Sequence, residues 1–158
     1  MPDPTNEPAW QFQHSVQCNA PRKFAWSYWT NIANWDDPPA KFALDGPFDV
    51  GSRLTTILPG QTWHSIIRAC KAAREATIEM QLPDAILSFH WQFEELPQNR
   101  TRITQRLVLS GANAKSFVAQ ASIFEQTAPD GMKKLAAAIE RAHHLRCSAG
   151  LSPGVWGS

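Results

Sequence analysis

Residues Leu87 to Leu109 read LSFHWQFEELPQNRTRITQRLVL, and the fold turns on how their side chains alternate. Leu87, Phe89, Trp91 and Phe93 alternate with Ser88, His90, Gln92 and Glu94. Beyond the turn residues Pro97 to Asn99, Ile103, Gln105, Leu107 and Leu109 alternate with Arg102, Thr104 and Arg106. A period of two belongs to extended strands, whose successive side chains point to opposite faces. The segment therefore predicts an antiparallel hairpin with one dry face. A slip of one residue would turn every large apolar side chain into water, so the pattern also specifies the register.

Working outward, turn signals recur at Asp45 to Pro47, Pro59 and Gly60, Lys71 to Ala73, and Pro83 and Asp84, which predicts a meander of short strands ahead of the hairpin. From Trp10 to Cys18 the alternation is strict: Trp10, Phe12, His14, Val16 and Cys18 on one face, Gln11, Gln13, Ser15 and Gln17 on the other. Asn19, Ala20 and Pro21 stop that strand, and Pro21 suits the first turn of a helix, where its missing N–H costs nothing. Phe24, Tyr28, Ile32 and Trp35 then recur at helical spacing, the stripe of a short helix or pair of helices that Asp36 to Pro39 end.

After Ser110 and Gly111 the period changes. Phe117, Ala121, Phe124, Ala128, Met132, Leu135, Ile139 and Ala142 follow one another in steps of three or four, without a slip at Pro129. The spacing favours one long helix kinked at Pro129; the alternative is a fresh start capped by Thr127 before Asp130. Strand, two short helices, about five or six strands and a final helix make an α+β chain. An antiparallel sheet with one apolar face must be covered, and the last helix is the element large enough to do it.

At 158 residues the chain has the length of one domain, and folding at this size buries roughly 68–70% of the unfolded surface, so no metal or disulfide is needed for stability. Fifteen Lys and Arg against fourteen Asp and Glu give a net charge of +1, too balanced for the electrostatic footprint of a nucleic-acid binder. Arg100, Arg102 and Arg106 share one strand face and read as a solvated one. Cys18, Cys70 and Cys147 are odd in number and lack CxxC spacing, which argues against a disulfide framework and points to a reducing cytoplasm. Residues 1–9 read as a disordered N-terminus without the apolar run of a signal or anchor, 147–158 as a flexible tail, and 10–146 as the folded domain. No stretch is long and apolar enough to cross a membrane.

The order of elements resembles the START and Bet v 1-like (SRPBCC) superfamily, in particular its polyketide cyclase/dehydrase-like branch. The resemblance rests on the strand ending at Asn19, Ala20 and Pro21 before a helix with Phe24 and Trp26; on the second short helix with Ile32 and Trp35; on Phe48, Asp49, Val50, Gly51 and Ser52 before a strand; and on the closing helix with Pro129, Leu135 and Ile139. It spans roughly residues 10 to 146 and is more specific for fold than for activity. It implies a helix-grip fold: a curved antiparallel sheet of about seven strands around the last helix, with a cavity between them for lipids, polyketides or other apolar molecules. Fold alone does not fix function.

The residues that could serve such a cavity are those that alternation turns inward. His14 and Gln105 are polar groups on dry faces, each in need of a partner, from the protein or from a ligand. Phe12, Phe89, Trp91, Phe93, Leu107 and Phe124 would supply apolar wall or ordinary core. His64 and Arg68 share one face of a strand whose inward side the pattern leaves open, Trp63, Ile67 and Ala69 sharing the other. His143 and Cys147 stand one helical turn apart, but a metal site needs ligands the sequence does not place, and the pair reads as a solvated helix end. No phosphate loop, nucleophile elbow or HExxH occurs, so no metal or cofactor is implied and no catalytic residue can be assigned.

Three functions remain in view. One is a binding protein or carrier for a small hydrophobic molecule, as in lipid transport. Another is an enzyme of polyketide cyclase, aromatase or dehydrase type, in which His14, His64, Arg68 or Gln105 would assist proton transfer. The third is an interaction module of co-chaperone kind, which would require a large exposed apolar patch. A homodimer is compatible with each.

Overall fold

A computed structural model of the chain describes residues 7–149. Strict alternation carries the first strand, β1 (Trp10–Cys18), across the predicted span. Pro21 sits one position earlier than expected: it caps helix α1 (Arg22–Thr30) with extended backbone, and its carbonyl accepts the first helical bond from Ala25 N at 2.9 Å. The second short helix is a single 3-10 turn, Ile32–Asn34, which the Asn31 side chain caps. Six strands follow: β2 (Lys41–Asp45), β3 (Arg53–Leu58), β4 (Gln61–Lys71), β5 (Glu75–Leu82), β6 (Ala85–Leu96) and β7 (Arg100–Ser110). All neighbours pair antiparallel in one seven-stranded sheet of order β1-β7-β6-β5-β4-β3-β2. This is the expected α+β helix-grip architecture.

The decisive hairpin has the predicted register: Phe93 faces Ile103, Trp91 faces Gln105, Phe89 faces Leu107 and Leu87 faces Leu109. Ile103, Leu107 and Leu109 are fully buried, while Arg106 on the opposite face is exposed. In β4 strict alternation fails. The pairing with β5 shifts between Ile67 and Ala69, so Arg68 is the extra residue of a β-bulge. Beyond it the faces exchange: Ala69 is exposed, and Cys70 turns inward to give its thiol to Phe48 O. The grouping of Trp63, Ile67 and Ala69 on one face is corrected accordingly.

The C-terminal segment also departs from the expected single kinked helix. A 3-10 turn (Ala114–Phe117) leads into a short helix α2 (Val118–Ala121), and α3 (Phe124–Ala149) then runs unbroken through Pro129. The interruption lies at Ser122 and Ile123, where Ile123 N reaches back only three residues to Gln120 O. Cys147, expected in the tail, belongs to α3, and Ala9 extends the β1 pairing through its N–H to Leu109 O at 2.8 Å. The rest of the expected tails, residues 1–6 and 150–158, lies outside the described residues.

The helix α3 lies along β1 and also meets α1. Its buried residues Met132, Ala136 and Ile139 join Trp26, Trp29, Phe93 and Ile103 in the larger of two apolar clusters. The smaller cluster holds Leu87, Leu107, Leu109, Ala114 and Ala121.

Candidate functional site

Because α3 lies at the β1 side of the sheet, the inner faces of β3 to β6 are left for other segments to cover. A partly open cavity of about 570 Å³ occupies that space. Strand residues Leu54, Trp63, Ile78, Met80, Leu87, Phe89 and Trp91 line it from the sheet. Trp35, Asp37, Ala40 and Phe42 close it on one side, and Phe117, Gln120, Ala121 and Phe124 on the other.

The first side is built on a cluster of packed aromatic rings. Trp29 is central, with its ring 4.9 Å from Trp91, 5.0 Å from Phe48, 5.4 Å from Phe93 and 6.1 Å from Trp35. The Trp35 indole N–H donates to Trp29 O at 2.6 Å, so that donor is already used. Across the cavity, Phe124 meets Phe89 edge-on at 5.7 Å, joining the start of α3 to the sheet. Aromatic pairs of this kind add about 0.5–1.5 kcal/mol each beyond the area they bury.

Four of the ten residues expected at a site form the wall: Phe89, Trp91, Gln105 and Phe124. Leu107 is fully buried in the smaller cluster, and Phe93, 2% exposed, lies in the larger one beneath the tryptophans. Phe12 packs at the edge of the smaller cluster, with Trp10 stacked 6.3 Å away. His14 is half-buried on the inner face, directly across the ladder from Gln105, yet it is not among the lining residues. His64 is exposed, and Arg68 at the bulge turns outward to give its Nε–H to Glu79 Oε1 at 2.8 Å. Neither lines the cavity, and the face that the sequence left open is settled by Ser65 and Ile67, which are buried where His64 and Arg68 are not.

Two buried polar residues distinguish the wall, Gln105 at 8% exposure and Ser65 at 4%. Three of the other buried polar side chains have partners within the fold. Thr101 donates to Ala20 O at 2.7 Å, Ser52 to Pro47 O at 2.6 Å, and Thr104 shares a hydrogen bond of 2.8 Å with Ser15. The Gln105 amide and the Ser65 hydroxyl have no hydrogen-bond partner among the described residues, and their polar atoms keep contact with the cavity instead of being sealed. A polar group left without a partner once water is displaced costs about 1–3 kcal/mol, so a bound molecule would have to satisfy both. Ser65 was overlooked in the sequence, although its position between Trp63 and Ile67 is the signal that found Gln105: a polar residue in an apolar row.

The titratable groups with displaced pKa lie elsewhere. His90, on the outer face, is lowered by burial and by Arg106, and its Nδ1 is 3.1 Å from Thr77 Oγ1. Burial pushes the Cys18 thiol up to about 11. Along the cavity wall the one ionisable side chain is Asp37, which is exposed. Among the described residues no three His, Cys, Asp or Glu side chains converge as metal ligands, and no helix is long and apolar enough to cross a membrane.

No family model and no curated protein matches the chain in sequence. Solved structures do match it in shape. Norcoclaurine synthase of Thalictrum flavum, a point mutant in complex with a transition-state analogue, matches with a TM-score of 0.65 at 12% identity, over 85% of this chain and 96% of that one. The Zhui aromatase/cyclase from Streptomyces sp. R1128 gives 0.66 at 16% identity, over 84% and 94%. Ara h 8.0201 gives 0.57 at 14% identity, over 84% and 96%.

Proposed function

We propose that this chain, which has the Bet v 1-like helix-grip fold of those three structures, binds a small hydrophobic molecule in the cavity between its sheet and its C-terminal helices. The observation that carries the reading is the cavity itself: about 570 Å³, walled by aromatic and aliphatic side chains, with the Gln105 amide and the Ser65 hydroxyl buried in it. Small-molecule sites run to roughly 300–1,000 Å³ and pair an apolar lining with a few placed polar groups. Burying an apolar ligand against Trp91, Phe89 and Phe124 supplies the affinity, at roughly 25 cal/mol per Å² removed from water.

A cyclase-like or aromatase-like reaction in the same space needs a group that moves protons, within reach of the occupant. His14, His64 and Arg68 do not line the cavity, and Asp37 is exposed. Binding is thus the better supported reading. An interaction module has less support, because among the described residues the exposed large hydrophobics Val50, Ile57, Ile123 and Leu145 fall on four separate segments.

Native mass spectrometry of the chain purified from its own host tests the proposal. One small molecule per chain, lost in Ala121→Phe where a ring is placed into the cavity, is the expected result. A bare chain that also leaves apolar dyes in water rejects it.

A further inference from the structure

We infer that the cavity selects an electrically neutral ligand and that Gln105 recognises its hydrogen-bonding group. The inference rests on the binding reading above and gives it a substrate class. Its ground is the inventory of polar side chains along the wall: Thr56, Gln61, Ser65, Gln105, Gln120 and Asp37. None is a cation. A carboxylate or phosphate entering this space would lose its water and find no positive partner, which is the costly case for a buried charge. Asp37 adds repulsion. An ammonium would find only that exposed carboxylate, and pairing in solvent contributes little.

Gln105 is the group best placed to read what such a ligand carries. It stands in the middle of the ladder, with His14 opposite on β1 and Trp91 opposite on β6. Cross-strand neighbours lie about 5 Å apart at Cβ, so an occupant lying on the Trp91 ring comes within reach of the amide. Nothing in the fold uses that amide, whereas a leucine would suit the same apolar row. An amide both donates and accepts, so it fits a carbonyl, a hydroxyl or a phenol alike.

Three probes built on one ring system separate these statements: prodan, a neutral ketone; 6-dimethylamino-2-naphthoic acid, ionised at pH 7.5; and N,N-dimethyl-2-naphthylamine, which lacks the second polar group. Their titration is followed through dye emission and the quenching of tryptophan. Prodan is expected to bind at one per chain and the carboxylate at least about tenfold more weakly. Gln105→Leu should weaken prodan about tenfold and leave the naphthylamine unchanged, with Gln105→Met, closer in shape, giving the same pattern should the leucine variant fold poorly. A carboxylate that binds as tightly as the ketone overturns the neutral class while the cavity reading stands. Equal effects of both variants on prodan and naphthylamine, or none, overturn the role of Gln105. If no probe binds, the cavity reading falls and this inference with it.

Discussion

The Cys18 thiol is 1% exposed at the end of β1, and its pKa is pushed up to about 11 by burial first and then by the Glu140 carboxylate, the backbone at Ala20 acting weakly the other way. Its unfolded value is 9.0. The raised pKa means that the folded chain holds the proton more tightly, so the contribution is complete below pH 9 and is lost as pH rises through 11. Over that window the unsubstituted chain should lose on the order of 2 kcal/mol more than Cys18→Ala, read as a difference in denaturant midpoints between pH 8.5 and 11. Parallel pH profiles would sink the assignment. His14 leads to a different expectation. Alternation alone put it inward and made it a natural ligand contact, but it stands behind Gln105, outside the lining. His14→Leu should therefore change prodan affinity by less than about twofold and stability by less than about 1 kcal/mol, in contrast to Gln105→Leu. A large loss of binding without a loss of stability would return His14 to the site.

At the scale of elements, Gly111 joins the last strand to the segment that covers the cavity. Its φ is +116, and a Cβ there would lie 2.8 Å from Ala85 Cα and 2.9 Å from Asp84 O. Both obstacles are backbone atoms. Gly111→Ala should cost about 2–4 kcal/mol, since left-handed strain and the displaced turn add, and thermal unfolding would show it; a shift of less than 1 kcal/mol would mean that the turn relocates freely. The break between α2 and α3 shows what periodicity can and cannot reveal. Phe117, Ala121 and Phe124 keep their spacing across Ser122 and Ile123, because a single three-residue turn hardly disturbs a stripe already built of three- and four-residue steps. The eye is drawn instead to Pro129, the residue without an N–H, yet α3 continues through it. Restoring that N–H in Pro129→Ala should stabilise the chain by about 1 kcal/mol or more, read as a rise in the denaturant midpoint. The bulge at Arg68 was hidden for a related reason: one inserted residue exchanges the faces of everything beyond it and leaves the composition of the strand unchanged.

For the whole molecule, the sheet, its register and the closing helix were legible because each follows from a period that burial enforces. The cavity was implied by the family resemblance alone, since alternation tells which face a side chain occupies and nothing of what stands opposite. That depends on α3 lying along β1, so that the far half of the sheet is closed by Trp35 to Phe42 and by Phe117 to Phe124 instead of by packed helix. The larger and smaller apolar clusters then hold the fold on either side of a space that neither fills. A chain built this way should gain stability when the space is occupied. Prodan at a hundred times its dissociation constant should add about 2.7 kcal/mol by mass action, which for a domain of this size corresponds to roughly 5–10 °C in Tm. The gain should saturate at one dye per chain, appear under native conditions at pH 7.5, and shrink in Ala121→Phe, whose ring competes for the same volume. An expanded acid state also lights up apolar dyes, but it does so without a fixed stoichiometry and without raising Tm. Dye emission confined to low pH, with Tm unmoved at neutrality, would mean that the walls close on themselves in solution and that the space between the two clusters is core.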